Sequence, residues 1–212
     1  MAEIVREFQL AAPAEWSARF NIAPTQSVLT VTQEVGGPRV GRCMQWGLIP
    51  SWAKDRSIAN SLINARAESV ADKPSFRAAF KRRRCLVVAD GYYEWQKGGK
   101  AKQPFHIHFP GNRPFGIAGL WESWGDDHLE TCTLITTEAN ETTRPIHDRM
   151  PVILDPPDFT TWLESPSEDR DKLLALLRPD GANQLVADVV STYVNNPRHE
   201  DPECLTVNRP LF

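Results

Sequence analysis

Seventeen prolines, spread along 212 residues rather than gathered in one tract, limit this chain more than any other feature. Each proline fixes its own φ, withholds an N–H and turns the residue before it away from the helical region. Their scatter argues for many turns and short elements rather than long helices. The apolar runs between them are short. Strand patterns lie at 28–32, closed by Gly36-Gly37-Pro38, and at 40–46. A buried strand is predicted at 85–88, broken at Asp90-Gly91, with more at 105–109, 115–120, 131–136 and 152–154.

Helical signals are fewer. Ile4, Val5 and Phe8 share helical spacing within residues 2–10, and Pro74 opens a short helix with Phe76 and Phe80 on one face. Ser165-Pro166-Ser167-Glu168 has capping-box spacing ahead of Leu173, Leu174, Leu176 and Leu177, and Arg178-Pro179-Asp180-Gly181 closes that segment. Residues 195–212 read as irregular. These elements predict one α+β domain over 1–212, built on a mostly antiparallel, curved or barrel-like sheet with peripheral helices.

Composition narrows the function classes. Hydrophobic residues at 41% and charged residues at 24% suit a globular chain. No apolar run reaches the length of a membrane span, and Met1 to Leu10 is charged with no apolar signal core, so a cytoplasmic, nucleoid-associated monomer is expected. Cys43, Cys85, Cys132 and Cys204 lie far apart without a CxxC pair, which reads as reduced thiols rather than a disulfide frame or zinc ribbon. Neither cofactor nor metal is expected: His106 and His108 share a strand face, but spacing places no further ligand with them. The net charge of -3 hides an asymmetry. Residues 54–102 hold twelve Lys and Arg against five Asp and Glu, inside an otherwise acidic chain. A basic middle fits a polyanion site, or simply a solvated face.

Three segments have residue types suited to chemistry. In Ile63-Asn64-Ala65-Arg66-Ala67-Glu68, an extended backbone turns Asn64 and Arg66 to one face, where amide and guanidinium can both donate to a phosphate. The same face also fits a surface salt bridge. In Asp90-Gly91-Tyr92-Tyr93-Glu94-Trp95, partial burial would raise the pKa of Glu94 and suit it to proton transfer, while Trp95 offers a stacking surface; a rim carboxylate among core aromatics is the other reading. In Ile146-His147-Asp148-Arg149-Met150-Pro151, His147 and Arg149 stand two apart in a polar turn, as a general base beside a phosphate ligand or as structural residues. Trp46 and Trp52 flank Gly47-Leu48-Ile49-Pro50-Ser51 at the start of the basic middle; Trp46 is expected in the core and Trp52 at the surface, where a base could stack. Lys81-Arg82-Arg83-Arg84 fits either a phosphate track or a solvated helix end.

Taken in order, Asn-Ile-Ala-Pro-Thr, Trp-Gly-Leu-Ile-Pro-Ser-Trp-Ala, Ile-Asn-Ala-Arg-Ala-Glu, Lys-Pro-Ser-Phe-Arg, Arg-Cys-Leu-Val, Asp-Gly-Tyr-Tyr-Glu-Trp, Ala-Gly-Leu-Trp and His-Asp-Arg-Met-Pro closely resemble the SOS response-associated peptidase, or SRAP, family. The resemblance runs from about the N-terminus to at least Trp162. It implies a DNA damage (SOS) response protein, involved in DNA repair, whose partner is single-stranded DNA with abasic sites. It implies a thiazolidine crosslink between an N-terminal cysteine and the ring-opened sugar. By motif, it makes Asn64, Glu94 and His147 the active-site polar set, and Arg66 and Arg149 the phosphate ligands. Pro24, Trp52 and Trp95 would wedge or stack the flanking bases, and Thr136 would contact the DNA backbone. Family members open Met-Cys-Gly-Arg-Phe before a helix, whereas this chain opens Met1-Ala2-Glu3-Ile4, so the opening strand and its nucleophile are expected to be missing. Two alternatives are a non-covalent single-stranded DNA-binding module and a thiol peptidase with Cys85 as nucleophile and His147 as base.

Overall fold

The structure, a computed structural model, describes residues 1–12, 15–96, 102–179 and 184–207. It is a mixed α+β domain with two sheets. The larger contains β1 (Ser27–Gln33), β2 (Arg39–Trp46), β3 (Asn64–Arg66), β4 (Arg84–Ala89), β7 (Phe115–Trp124), β8 (Leu129–Glu138), β9 (Arg149–Pro151) and β10 (Ile153–Leu154). The smaller contains β5 (Gly91–Gln96), β6 (Gln103–His108) and β11 (Val186–Val189). The order in the large sheet is β10-β7-β4-β1-β2-β8-β3, with β9 on β8 and a further pairing between β7 and β8. The sheet therefore rings partly round on itself. It is not a barrel: β1–β4 and β2–β8 each pair through only two residues, too few for an even wall. Most pairings are antiparallel, and β2–β8 and β3–β8 are parallel.

Strand alternation sends side chains to two cores. On one face Val31, Leu86, Ala118, Leu120 and Ile135 meet the helices α1 (Ala2–Phe8), α2 (Arg77–Arg82), α3 (Phe159–Glu164) and α4 (Arg170–Ala175). On the other, Val28, Met44, Cys85, Val87 and Cys132 meet Tyr92, Phe105 and Ile107 of the small sheet. Phe8 anchors α1 by stacking on Phe159, with ring centroids 5.4 Å apart. The helix ends where Gln9 turns left-handed at φ 53°.

Several local expectations change. Pro74 does not begin a helix; α2 starts three residues later, although Phe76 and Phe80 do bury together. The capping box is not formed: Ser165 closes α3 instead, its N–H donating to the Thr161 carbonyl at 3.2 Å, and α4 begins only at Arg170. The closing turn proposed for that helix lies partly outside the described residues, at Asp180 and Gly181. The strand predicted at 85–88 does break at Asp90-Gly91, and the chain turns there directly into β5. There Gly91 is required, since a Cβ would sit 2.0 Å from His106 Nε2. Within the basic run, Arg84 is buried. Its guanidinium donates to the carbonyls of Phe80 (2.8 Å) and Lys81 (3.1 Å) at the end of α2, and to those of Trp162 and Ser165 at the end of α3. Burial lowers its pKa to about 10, and the carbonyls left over at two helix ends compensate the charge. Arg83 pairs with buried Glu122 at 2.6 Å. Half of the tetrad is thus structural.

Trp162 holds this layer together. It is fully buried, packs edge-on to Phe80 and donates from Nε1 to the Cys85 carbonyl at 2.9 Å. Trp162→Ala is expected to cost about 3–5 kcal/mol, as large-to-small changes at buried aromatics do. A thermal melt should show a Tm lowered by roughly 6–20 °C. A drop of only one or two degrees would contradict this packing.

Candidate functional site

The strand β8 organises the candidate site. Along one edge it pairs with β2 and then with β3, and along the other with β7 and then with β9. In the parallel register Asn64 lies beside Leu134 and Arg66 beside Thr136; in the antiparallel register Arg149 lies opposite Glu138 and Pro151 opposite Thr136. Asn64, Arg66, Thr136 and Arg149 therefore share one face, the side of the sheet that also carries Cys132 and Leu134. Asn64 and Arg66 are exposed, and Thr136 and Arg149 are half-buried.

Contacts tie this edge together. The Arg149 Nη2 donates to the Thr136 carbonyl at 2.6 Å and approaches its hydroxyl at 3.4 Å. The Ala67 N–H donates to the same carbonyl at 2.9 Å. The Arg149 fork also grips Glu68, Nη1 to Oε1 at 2.6 Å and Nη2 to Oε2 at 3.0 Å. That ion pair, and to a lesser degree Arg66, holds the Glu68 carboxyl below its usual range, although burial opposes the shift. His147 sits at the turn into β9. Its Nδ1 meets one donor, the Arg149 N–H at 3.1 Å, and one anionic acceptor, the Asp148 carboxylate at 3.2 Å. The Arg149 carbonyl lies 3.3 Å from the same nitrogen.

Glu94 approaches from the small sheet. Tyr92, Glu94 and Gln96 alternate onto one face of β5, the face on which Tyr92 joins the second core along with Ile146. Gln96 Nε2 donates to the Pro145 carbonyl at 2.9 Å, which docks this face against the turn that carries His147. Glu94 is half-buried and accepts from the Trp95 N–H at 3.1 Å. Burial, with Glu94 adding, pushes the Tyr92 phenol well above its usual range, and its buried hydroxyl has no hydrogen-bond partner among the described residues.

Other residues singled out belong to other elements. Trp95 alternates to the opposite face of β5, packs against Val190, Val194 and Cys204, and donates from Nε1 to Asn195 at 2.7 Å. Trp52 stands in the turn after Pro50 and is 58% exposed. Trp46, expected in the core, is half-buried, its Nε1 donating to the Ile63 carbonyl at 2.9 Å next to Asn64. Pro24 is exposed in the turn before β1, where Thr25 takes φ 75°. Cys85 is fully buried in β4 and its thiol is pushed far up, which leaves it no nucleophilic role. The residue missed in the sequence is Glu68. Its signal was its place two positions beyond Arg66, but its partner lies 81 positions away.

Among the described residues no group of His, Cys, Asp and Glu could hold a metal ion, and no helix is long and apolar enough to cross a membrane. His106 and His108 stack at 4.6 Å, with His108 Nε2 3.1 Å from Asp188. Burial, reinforced by His108, lowers the pKa of His106 from 6.5 to about 4. The unfolded chain thus binds this proton more tightly than the folded one. The resulting stability is present above about pH 6.5 and is lost as pH falls towards 4. Urea midpoints measured across that window should fall with acidification, and His106→Gln should flatten the fall. An equal slope in the variant would contradict a buried neutral His106.

The model of the SOS response associated peptidase (SRAP) family matches residues 1–197. The abasic site processing protein YoqW of Bacillus subtilis is 40% identical over 210 residues, covering 96% of this chain and 93% of its own. The abasic site processing protein HMCES of Xenopus tropicalis is 35% identical over 193 residues, covering 79% of this chain and 57% of its own. A crystal structure of a Bacteroides thetaiotaomicron protein superposes with a TM-score of 0.77 at 29% identity, over 87% of this chain and 82% of that one. With its fold, its ordered motifs and these relatives in agreement, the chain belongs to the SRAP family.

Proposed function

We propose that this protein processes abasic sites in DNA, and that it binds them in single strands across the β3–β8–β9 edge. The observation that carries this reading is the meeting of Arg66, Thr136 and Arg149 on adjacent strands, with His147 at the turn beside them. Relatives named for abasic site processing support the same conclusion. In this reading Arg66 and Arg149 take the phosphates beside the lesion, and Thr136 sits between them. Asn64 donates its amide to the sugar oxygens. Trp52 offers a ring to a flanking base, and Pro24 and Trp95 serve bases further along.

The chemistry proposed is that of an aldehyde meeting an amine. Imine formation requires protons to leave the amine and to reach the departing hydroxyl; Glu94 and His147 are the groups assigned to move them. A thiol on the same residue as the amine then adds to the imine carbon and closes a five-membered thiazolidine. Ring closure requires a cysteine whose α-amine is free, which the internal Cys43, Cys85, Cys132 and Cys204 do not have. Holding the strand needs only the cationic edge. Non-covalent binding of single-stranded DNA is the second reading, favoured by the completeness of that edge without any thiol.

Two measurements test the proposal. In salt titrations with labelled abasic oligonucleotides, single strands should bind more tightly than duplex. Arg66→Gln should weaken all sequences alike and reduce the log–log salt slope by about 0.7, the value for one phosphate contact on a single strand. A flat salt response would count against the assignment. On denaturing gels the 212-residue polypeptide should leave no heat-stable adduct. One preceded by Met-Cys-Gly-Arg-Phe and trimmed to its cysteine should leave one, formed more slowly after Glu94→Gln or His147→Gln. An adduct from the 212-residue chain itself would move the chemistry to an internal residue.

A further inference from the structure

We propose that the Glu68 carboxylate occupies the place of a DNA phosphate, so that a strand engages Arg149 only by displacing it. The inference rests on the reading of this edge as the DNA surface. Three observations carry it. First, the carboxylate takes both Nη groups of Arg149 in the two-pronged geometry with which a guanidinium also holds a phosphate, at 2.6 and 3.0 Å. Second, Arg66 is also close enough to act on it, so one acidic group sits among both assigned phosphate ligands. Third, the two partners are held unequally. The Glu68 side chain is 57% exposed and that of Arg149 only 22%. Arg149 is fixed independently by its bond to the Thr136 carbonyl at 2.6 Å and by its place in β9. Departure of Glu68 leaves the guanidinium where it is, with its outward donors free. The carboxylate is the part that can swing into solvent.

The functional consequence is a tax on every incoming polyanion. A phosphate that cannot make further contacts at the edge gains little by exchanging with Glu68, because one anion merely replaces another on the same fork. A strand that also engages Arg66, Asn64 and a stacking ring offsets the exchange. Glu68 thereby favours the strand that fills the whole site over DNA that touches Arg149 alone.

The test is a double-mutant cycle read by fluorescence anisotropy of a labelled abasic single strand at fixed low salt. Wild type, Glu68→Gln, Arg149→Gln and the double variant are compared, with Glu138→Gln as the control for loss of a nearby negative charge. Glu68→Gln removes one exposed ion pair, and a thermal melt verifies that each variant is folded. Glu68→Gln should tighten binding roughly three- to tenfold, against less than about twofold for Glu138→Gln. In the Arg149→Gln background the gain from Glu68→Gln should disappear. Weaker or unchanged binding by Glu68→Gln would make the carboxylate a buttress and overturn the proposal, as would a gain that survives without Arg149. Binding by Glu68→Gln alone, with none by wild type, would support it in its strongest form. If no folded protein in the set binds, the DNA reading fails and this inference fails with it; wild-type binding without the gain removes the inference only.

Discussion

Ten residues of β8 have to satisfy hydrogen-bonding groups along both edges, and four different strands supply the partners. A buried strand cannot leave its amides unpaired, so the short β3 and β9 are drawn onto the stretch of β8 that β2 and β7 leave open. Alternation along β8 then divides its side chains. Ile135 goes to the helical layer, Cys132 and Leu134 to the layer shared with the small sheet, and Thr136 to the end where both flanking strands bring arginines. Register at a buried strand is fixed by which residues must be inside, since a slip of one residue would turn Arg66 into the helical core and Ala65 out of it. The candidate site is therefore a by-product of the same constraint that builds the core.

Positive charge serves two separate ends. Arg84 is spent inside, collecting the carbonyls that two short helices leave over at their C-termini, and Arg83 neutralises a buried glutamate. These groups make short helices viable in a chain whose prolines forbid long ones. Arg66 and Arg149 stand at a rim, where screening is stronger and ligands can compete. Glu68 holds Arg149 in check there. His147 shares the same turn, its Nδ1 accepting the Arg149 backbone N–H.

Much of this was legible in the sequence, and the reasons differ by residue. The strands at 28–32, 85–88 and 115–120 are rich in apolar and β-branched residues and were readable as such. The matching parity of Asn64 with Arg66 was readable too, because the pair lies within one strand, whereas His147 stands in the turn before β9, where alternation does not place it. What spacing does not encode is which segments become neighbours. The ion pair of Glu68 with Arg149 spans 81 positions, and no local pattern announces it. The capping-box spacing at 165–168 misled because Ser165 ends α3, its N–H bound to the Thr161 carbonyl, instead of opening the next helix. Arg84 was hidden in a basic run whose chemistry is the same whether solvated or buried. The opposite facing of Trp95 and Glu94 follows from strand alternation, but only once β5 is known to be a strand.

The central claim is that the β3–β8–β9 edge, with the turn carrying His147, is where DNA lies. Backbone amide shifts of isotopically labelled protein, followed as an abasic single strand is titrated in, test it most directly. The largest changes should fall at 64–68, 136–138 and 146–149, with smaller ones at Glu94 and Trp52. Changes concentrated instead on the basic groove between α2 and α4, around Arg77, Lys81 and Arg170, with the edge residues unmoved, would contradict it.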